Sequence, residues 1–161
     1  MSLINHRRRS ARWHGASQKV GQSAAPLFLD RIDIQCEITP VPFKDISKAA
    51  PGEPSAAIRE RVIAARKIQQ ERFKEYKGIY CNAQMTERMI HQYAEPDTQS
   101  LDMLRMAMER MSLSARAYSR ILKVARTIAD LDGSERVLMP HIAEAVGYRN
   151  LDRGDWAERG I

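Results

Sequence analysis

The chain has 161 residues, of which 43% are hydrophobic and 29% charged, and its formal net charge is +6. This length is enough for one domain with a hydrophobic core, and the composition is that of a soluble globular protein. No apolar run approaches the ~20 residues of a membrane-spanning helix, and the basic N-terminus lacks the apolar stretch of a secretory signal. We therefore expect a cytoplasmic protein that does not interact with a membrane.

The positive charge is concentrated at the N-terminus. Residues 1–25 contain five cations and no acid, so the rest of the chain is close to neutral. A basic segment with little apolar periodicity is typical of a disordered tail, and it is also compatible with an arm that binds nucleic acid.

Cys36 and Cys81 lie far apart and the histidines are scattered. Because this spacing is not that of metal ligands, we expect no metal site in this chain.

One short extended segment follows the basic tail. Apolar and polar residues alternate from Arg31 to Thr39, which predicts a β-strand. Pro40 and Pro42 end this strand, and the prolines and glycine before residue 55 indicate a linker. We therefore assign residues 26–54 to a strand and a linker.

From residue 55 onwards the apolar residues recur at helical spacing. The predicted helices run approximately from Ser55 to Tyr76, from Thr86 up to Pro96, from Asp97 to Met111, from Ser114 to Leu131 and from Pro140 to Tyr148. Residues 55–150 thus form an all-α domain, a bundle of four or five helices with short connections. Residues 151–161 are polar and are expected to form a frayed tail.

The fourth predicted helix has two distinct faces. At about 100° per residue, its apolar residues lie within about 60° of one line along the helix. Arg116, Arg120, Lys123 and Thr127 lie along the opposite line. Arg120 and Lys123 are compatible with a solvated charged face, or with a surface that binds nucleotide or nucleic acid. Arg116 lies in the first turn, where the helix dipole disfavours a cation by about 0.3–1 kcal/mol, so an anion bound nearby would explain its position.

Three stretches of the sequence carry a more specific pattern. Leu29–Gln35 has the sequence LDRIDIQ, Ile58–Val62 has IRERV, and Leu113–Tyr118 has LSARAY, which continues to Leu131. Together with His141–Ala145, they resemble the magnesium-chelatase-like AAA+ family, in particular the bacterial branch that includes competence-associated branch-migration helicases. The resemblance extends from about residue 26 to residue 153.

This resemblance implies that the helices form the C-terminal lid of an AAA+ ATPase. Arg31, in the Leu-Asp-Arg-Ile-Asp motif, would be the arginine finger that reaches the nucleotide of the neighbouring subunit. Arg116, in the Ser-Ala-Arg motif, would be the sensor 2 arginine that contacts the γ-phosphate. The resemblance also implies ATP and Mg²⁺ as cofactors of the parent protein. Its implied partners are the rest of the AAA+ core, other subunits of a homo-oligomeric ring, by default a hexamer, and DNA.

The sequence lacks the motifs that would allow it to hydrolyse ATP alone. It contains no Gly-x-x-x-x-Gly-Lys-[Ser/Thr] loop and no apolar strand that ends in an acidic pair for magnesium. We therefore expect this chain to be a lid fragment of an ATPase that couples ATP hydrolysis to branch migration of DNA, and to be inactive alone.

Three alternative functions are compatible with the sequence. A free-standing helical module that binds nucleic acid is supported by the N-terminal arginines and by the cation row on the fourth helix. A motor subunit of a metal chelatase has the same lid architecture. A purely structural oligomerisation module is supported by the methionine-rich third helix.

Overall fold

The computed structural model describes residues 31–36, 38, 40–41 and 52–149. Within these residues the fold is all-α, which confirms the predicted fold class. The helices, in chain order, are α1 (Ser55–Phe73), a 3-10 turn (Asn82–Gln84), α2 (Glu87–Tyr93), α3 (Thr98–Met111), α4 (Ala115–Leu131) and α5 (Met139–Gly147). The predicted tails, residues 1–25 and 151–161, lie outside the described residues, as does most of the predicted linker.

Helices α3 and α4 each begin at a residue whose side chain caps the first turn. The carboxylate of Asp97 accepts a hydrogen bond from the Ser100 amide at 2.8 Å, at the start of α3. The hydroxyl of Ser114 accepts one from the Ala117 amide at 3.1 Å, at the start of α4. Each cap satisfies an amide that has no partner within the helix. Gly133 follows α4 with φ of 66°, a left-handed conformation that favours glycine.

The hydrophobic core is built around α4. This helix packs against α1, α2, α5 and the 3-10 turn, and α3 packs against α5. The apolar face predicted for α4 is buried, including Ile121, Leu122, Ala125 and Ala129. The other elements contribute to the same cluster through Phe73, Met85, Met89, Ile90, Leu104, Val137, Ile142 and Ala145.

The first half of α1 is less buried than its apolar spacing predicts. Ile58 and Val62 are 42% and 45% exposed, although they lie on the same stripe as the buried Ala65 and Phe73. The residues of α1 that are buried all lie in its second half. Helical spacing predicted an apolar stripe along the whole helix with a gap near Gln69. The structure buries only the second half of this stripe, where α1 packs against α4.

The prediction of a strand from Arg31 to Thr39 is wrong for the residues that the structure describes. Residues 31–36 form no strand. They lie along the end of α5, held by a hydrogen bond from the Gln35 amide to the Tyr148 carbonyl at 2.9 Å. Alternation of apolar and polar residues produces a strand only where a second strand pairs with it. Here Ile34 and Ile38 are 52% and 90% exposed, so the alternation buries neither of them.

Candidate functional site

An open groove lies beside the first turns of α4. It has a volume of about 600 Å³ and is formed by the segment before α1, the residues around the 3-10 turn, the start of α2 and the polar face of α4. Its lining consists of Asp33, Ala83, Glu87, Ala115, Arg116, Tyr118, Ser119, Arg120 and Lys123. Three cations and two carboxylates thus line one groove, at the end of α4 where the helix dipole is positive.

The three cations occupy successive turns of α4. Arg116 is the second residue of the helix and is exposed. Arg120 and Lys123 are half-buried, and each donates to a main-chain carbonyl of a neighbouring segment. Lys123 Nζ donates to the Ala83 carbonyl at 3.1 Å, and Arg120 Nη1 donates to the Arg31 carbonyl at 2.8 Å. Arg120 and Lys123 therefore hold the walls of the groove in place as well as contributing charge to it.

The structure brings all four residues that the sequence singled out into one region. Arg116, Arg120 and Lys123 line the groove. The side chain of Arg31 is exposed, and its carbonyl is held by Arg120. The roles that the resemblance gives to Arg31 and Arg116 stay predictions.

Sequence reasoning did not identify the two carboxylates of the groove as site residues. Asp33 forms an ion pair with Arg120, and the Glu87 carboxylate accepts hydrogen bonds from the Ser119 hydroxyl at 2.9 and 3.0 Å. Both contacts join distant parts of the chain, so no local motif reports them.

Burial raises the pKa of the Tyr118 phenol, and the charges of Glu95 and Glu87 raise it further. Tyr118 therefore stays a neutral hydrogen-bond donor near pH 7.

A buried polar cluster lies behind the groove, at the C-terminal half of α4. Asp130 is 2% exposed and accepts hydrogen bonds from both terminal nitrogens of Arg72, at 2.7 and 2.5 Å. It also accepts from Asn82 Nδ2 at 2.7 Å and from Arg126 Nε at 3.1 Å. The remaining donors of Arg126 reach the carbonyls of Glu135 and Ser134 at 2.9 and 2.5 Å. One carboxylate thus joins α1, the 3-10 turn and α4.

The ionised form of Asp130 is stabilised by these neighbours. Burial alone would raise the pKa of this carboxyl, but hydrogen bonds from Arg72 and Asn82 and the charges of Arg126 and Arg72 outweigh it. The net result is a pKa below the ordinary value. Burial also lowers the pKa of Arg126, and the charge of Asp130 opposes that effect. The cluster is therefore an ionic network in which each charge depends on the others.

Because of this cluster, only part of the α4 face that was predicted to present cations is open to solvent. Asp130 lies on the same line of the helix as Arg116 and Arg120, but it is covered by α1 and the 3-10 turn. Thr127 lies between them, accepts from Asn82 Nδ2 at 3.1 Å and donates to the Lys123 carbonyl at 2.9 Å. Only the N-terminal half of this face opens into the groove, and the buried half fixes the 3-10 turn that forms its wall.

The described part of the chain contains neither a metal-ligand cluster nor a membrane-spanning helix. None of its histidine, cysteine and carboxylate side chains form a group of three or more that could bind a metal ion. None of the helices in residues 52–149 combines the length and the apolar character that crossing a bilayer requires.

The fold and the groove define an all-α module that presents a cluster of cations at the start of its central helix. Residues 52–149 match the family described as magnesium chelatase, subunit ChlI C-terminal. The chain belongs to this family, and this confirms its resemblance to the magnesium-chelatase-like AAA+ proteins.

The relatives of this chain include competence protein ComM of Haemophilus influenzae, which is 39% identical over 127 residues. The protein YifB of Escherichia coli is 41% identical over 127 residues. Each of these two alignments covers 78% of this chain and 24% of the relative. The protein Rv2897c of Mycobacterium tuberculosis is 31% identical over 130 residues, which is 81% of this chain and 25% of the relative. The chain thus spans about a quarter of the length of the curated relatives that it matches.

Proposed function

We propose that this chain is the C-terminal lid of a ring-forming AAA+ ATPase, in which Arg116 contacts the terminal phosphate of ATP. The observation that carries this proposal is the groove at the start of α4, where Arg116, Arg120 and Lys123 lie together. The first amides of a helix lack partners within the helix, and a cationic side chain beside them adds charge-assisted hydrogen bonds to an anion. This arrangement fits a phosphate group.

The chain supplies only part of a nucleotide site. The sequence has no phosphate loop, so the rest of the AAA+ core would hold the β- and γ-phosphates and the magnesium ion. In this proposal the lid arginine senses the γ-phosphate and loses that contact after hydrolysis, which couples nucleotide state to lid position. Arg31 would act on the nucleotide of the adjacent subunit, in a homo-oligomeric ring, by default a hexamer.

We further propose that the ring uses ATP hydrolysis to remodel DNA by branch migration. The support for DNA is the resemblance to branch-migration helicases and the similarity to a protein named for competence. The family name instead favours a magnesium chelatase motor. Stimulation of ATP hydrolysis by branched DNA would support the first function, and stimulation only by a chelatase partner would support the second.

The decisive experiment compares ATP hydrolysis by the complete ATPase with that of its Arg116→Ala variant. Loss of one charge-assisted hydrogen bond costs about 1.5–3 kcal/mol, or about 10- to 100-fold in rate if the contact is made in the transition state. Arg110→Ala is the matched control, because Arg110 is an exposed arginine in the last turn of α3 and does not line the groove. An unchanged rate in Arg116→Ala would contradict the sensor role.

Two binding measurements separate the lid from the free-standing nucleic-acid module. We expect the 161-residue chain to bind Mg-ATP weakly or not at all in calorimetry, because it lacks the phosphate loop. Tight, magnesium-dependent binding would contradict the lid proposal. If the chain instead binds DNA without ATP, with an affinity that falls steeply with salt and depends on Arg116, the nucleic-acid module is the better description.

A further inference from the structure

Four polar contacts attach the segment from Arg31 to Gln35 to the helical bundle. Arg120 Nη1 donates to the Arg31 carbonyl at 2.8 Å and also forms an ion pair with Asp33. A guanidinium nitrogen of Arg149 donates to the Ile32 carbonyl at 2.5 Å, and the Gln35 amide donates to the Tyr148 carbonyl at 2.9 Å. Most of these contacts are made to the main chain, so they fix the path of the segment rather than one of its side chains.

Arg120 contacts both the segment and the groove. Its side chain is 25% exposed, compared with 52% for the carboxylate of Asp33. It lines the groove together with Arg116, one turn away on the same face of α4. A guanidinium is planar and its donors have fixed directions, so one Arg120 nitrogen that serves two acceptors holds them in one relative position.

We infer that Arg120 is a positioning residue, which fixes the main chain of Arg31 on α4 so that the Arg31 side chain follows the movement of this helix. The inference rests on the proposed function, in which Arg116 on α4 senses one nucleotide and Arg31 acts on the nucleotide of the neighbouring subunit. Arg120 would then connect the lid of one site to the arginine finger of the next.

The contact itself can be tested in the 161-residue chain, independently of ATP hydrolysis. A nitroxide spin label is attached at Arg31→Cys in a background with Cys36→Ser and Cys81→Ser, and its mobility is measured by EPR. We expect the Arg120→Ala variant to have a more mobile label than the same protein with intact Arg120. The control Arg110→Ala, on the exposed surface of α3, should leave the spectrum unchanged. An unchanged spectrum in Arg120→Ala would overturn the inference.

The functional consequence is tested in the complete ATPase by combining Arg120→Ala with Arg31→Ala. We expect Arg120→Ala to lower kcat about tenfold and to change the KM for ATP less than about twofold, because a misplaced finger affects the reaction and not substrate binding. In the Arg31→Ala background, Arg120→Ala should have no further effect. Two residues that act through one contact are not additive.

The outcomes separate this inference from the proposed function. If Arg116→Ala lowers the rate and the effects of Arg120→Ala and Arg31→Ala multiply, the lid function stands and the positioning role is wrong. A raised KM for ATP in Arg120→Ala would also overturn it, because Arg120 would then bind the nucleotide directly. If Arg116→Ala leaves the rate unchanged, the proposed function fails, and a label mobility that still depends on Arg120 would limit the inference to the attachment of the segment.

Discussion

We expect Asp130→Asn to destabilise the helical bundle. The substitution keeps the shape of the side chain and removes its charge, so that Arg72 and Arg126 lose their shared carboxylate. The Asp130 side chain is fully buried, and those of Arg126 and Arg72 are 2% and 13% exposed, so water cannot replace the carboxylate without opening the bundle. Removing one partner of a buried ionic network costs about 3–5 kcal/mol, which is a large part of the about 5–15 kcal/mol that stabilises a typical domain.

The effect is measured by urea unfolding of the full chain, followed by circular dichroism. Asp102→Asn is the matched control, because Asp102 forms an exposed ion pair with Arg105 at 3.1 Å within α3. Such a surface pair contributes about 0–1 kcal/mol, so the control should unfold close to the unaltered protein. If Asp130→Asn loses no more stability than Asp102→Asn, Asp130 neither holds the cluster together nor fixes the 3-10 turn that forms the wall of the groove.

Three further predictions test the titration of Asp130, the cap of α4 and the glycines at the ends of α4 and α5. The folded pKa of Asp130 lies below its ordinary value. The carboxylate therefore contributes fully to the free energy of unfolding above about pH 4, and this contribution is lost as the pH falls through the folded pKa. Acid unfolding curves of Asp130→Asn should lack this pH-dependent contribution, and equal pH dependence of the two proteins would contradict it. Ser114→Ala should lower the free energy of unfolding by about 1 kcal/mol in urea, because it removes the hydroxyl that accepts from the Ala117 amide; no change would mean that another group satisfies that amide. Gly133→Ala and Gly147→Ala should change the melting temperature in opposite directions. Neither added Cβ meets an atom within 4 Å, so the backbone conformation decides the effect. At Gly133 the left-handed φ makes alanine costly by about 1–2 kcal/mol. Gly147 is the last residue of α5 and has no left-handed φ, so alanine favours the helix there by at most about 0.5–1 kcal/mol; a shift of the same sign for both would refute this reasoning.

The sequence determined the features that depend on neighbours a few residues away. Asp97 and Ser114 were identified as starts of helices, and both side chains cap the first turn. The apolar face of α4 was predicted from spacing alone, because a helix places residues three and four apart on one side. Arg116, at the start of that helix, was selected by its position in the first turn and by the family motif. The same local reasoning failed for Arg31–Thr39, because a strand depends on a partner that alternation does not reveal.

Only the tertiary structure decided what surrounds those residues. The ion pair of Arg120 with Asp33 joins residues 87 apart, and that of Arg72 with Asp130 joins residues 58 apart. On the helical wheel Asp130 lies in line with Arg116 and Arg120, and nothing local indicates that the first is buried and the other two line a groove. The difference arises because α1 and the 3-10 turn cover one half of that face. Spacing along α4 therefore determines which residues share a side, and the packing of distant segments determines which part of that side is open to a ligand.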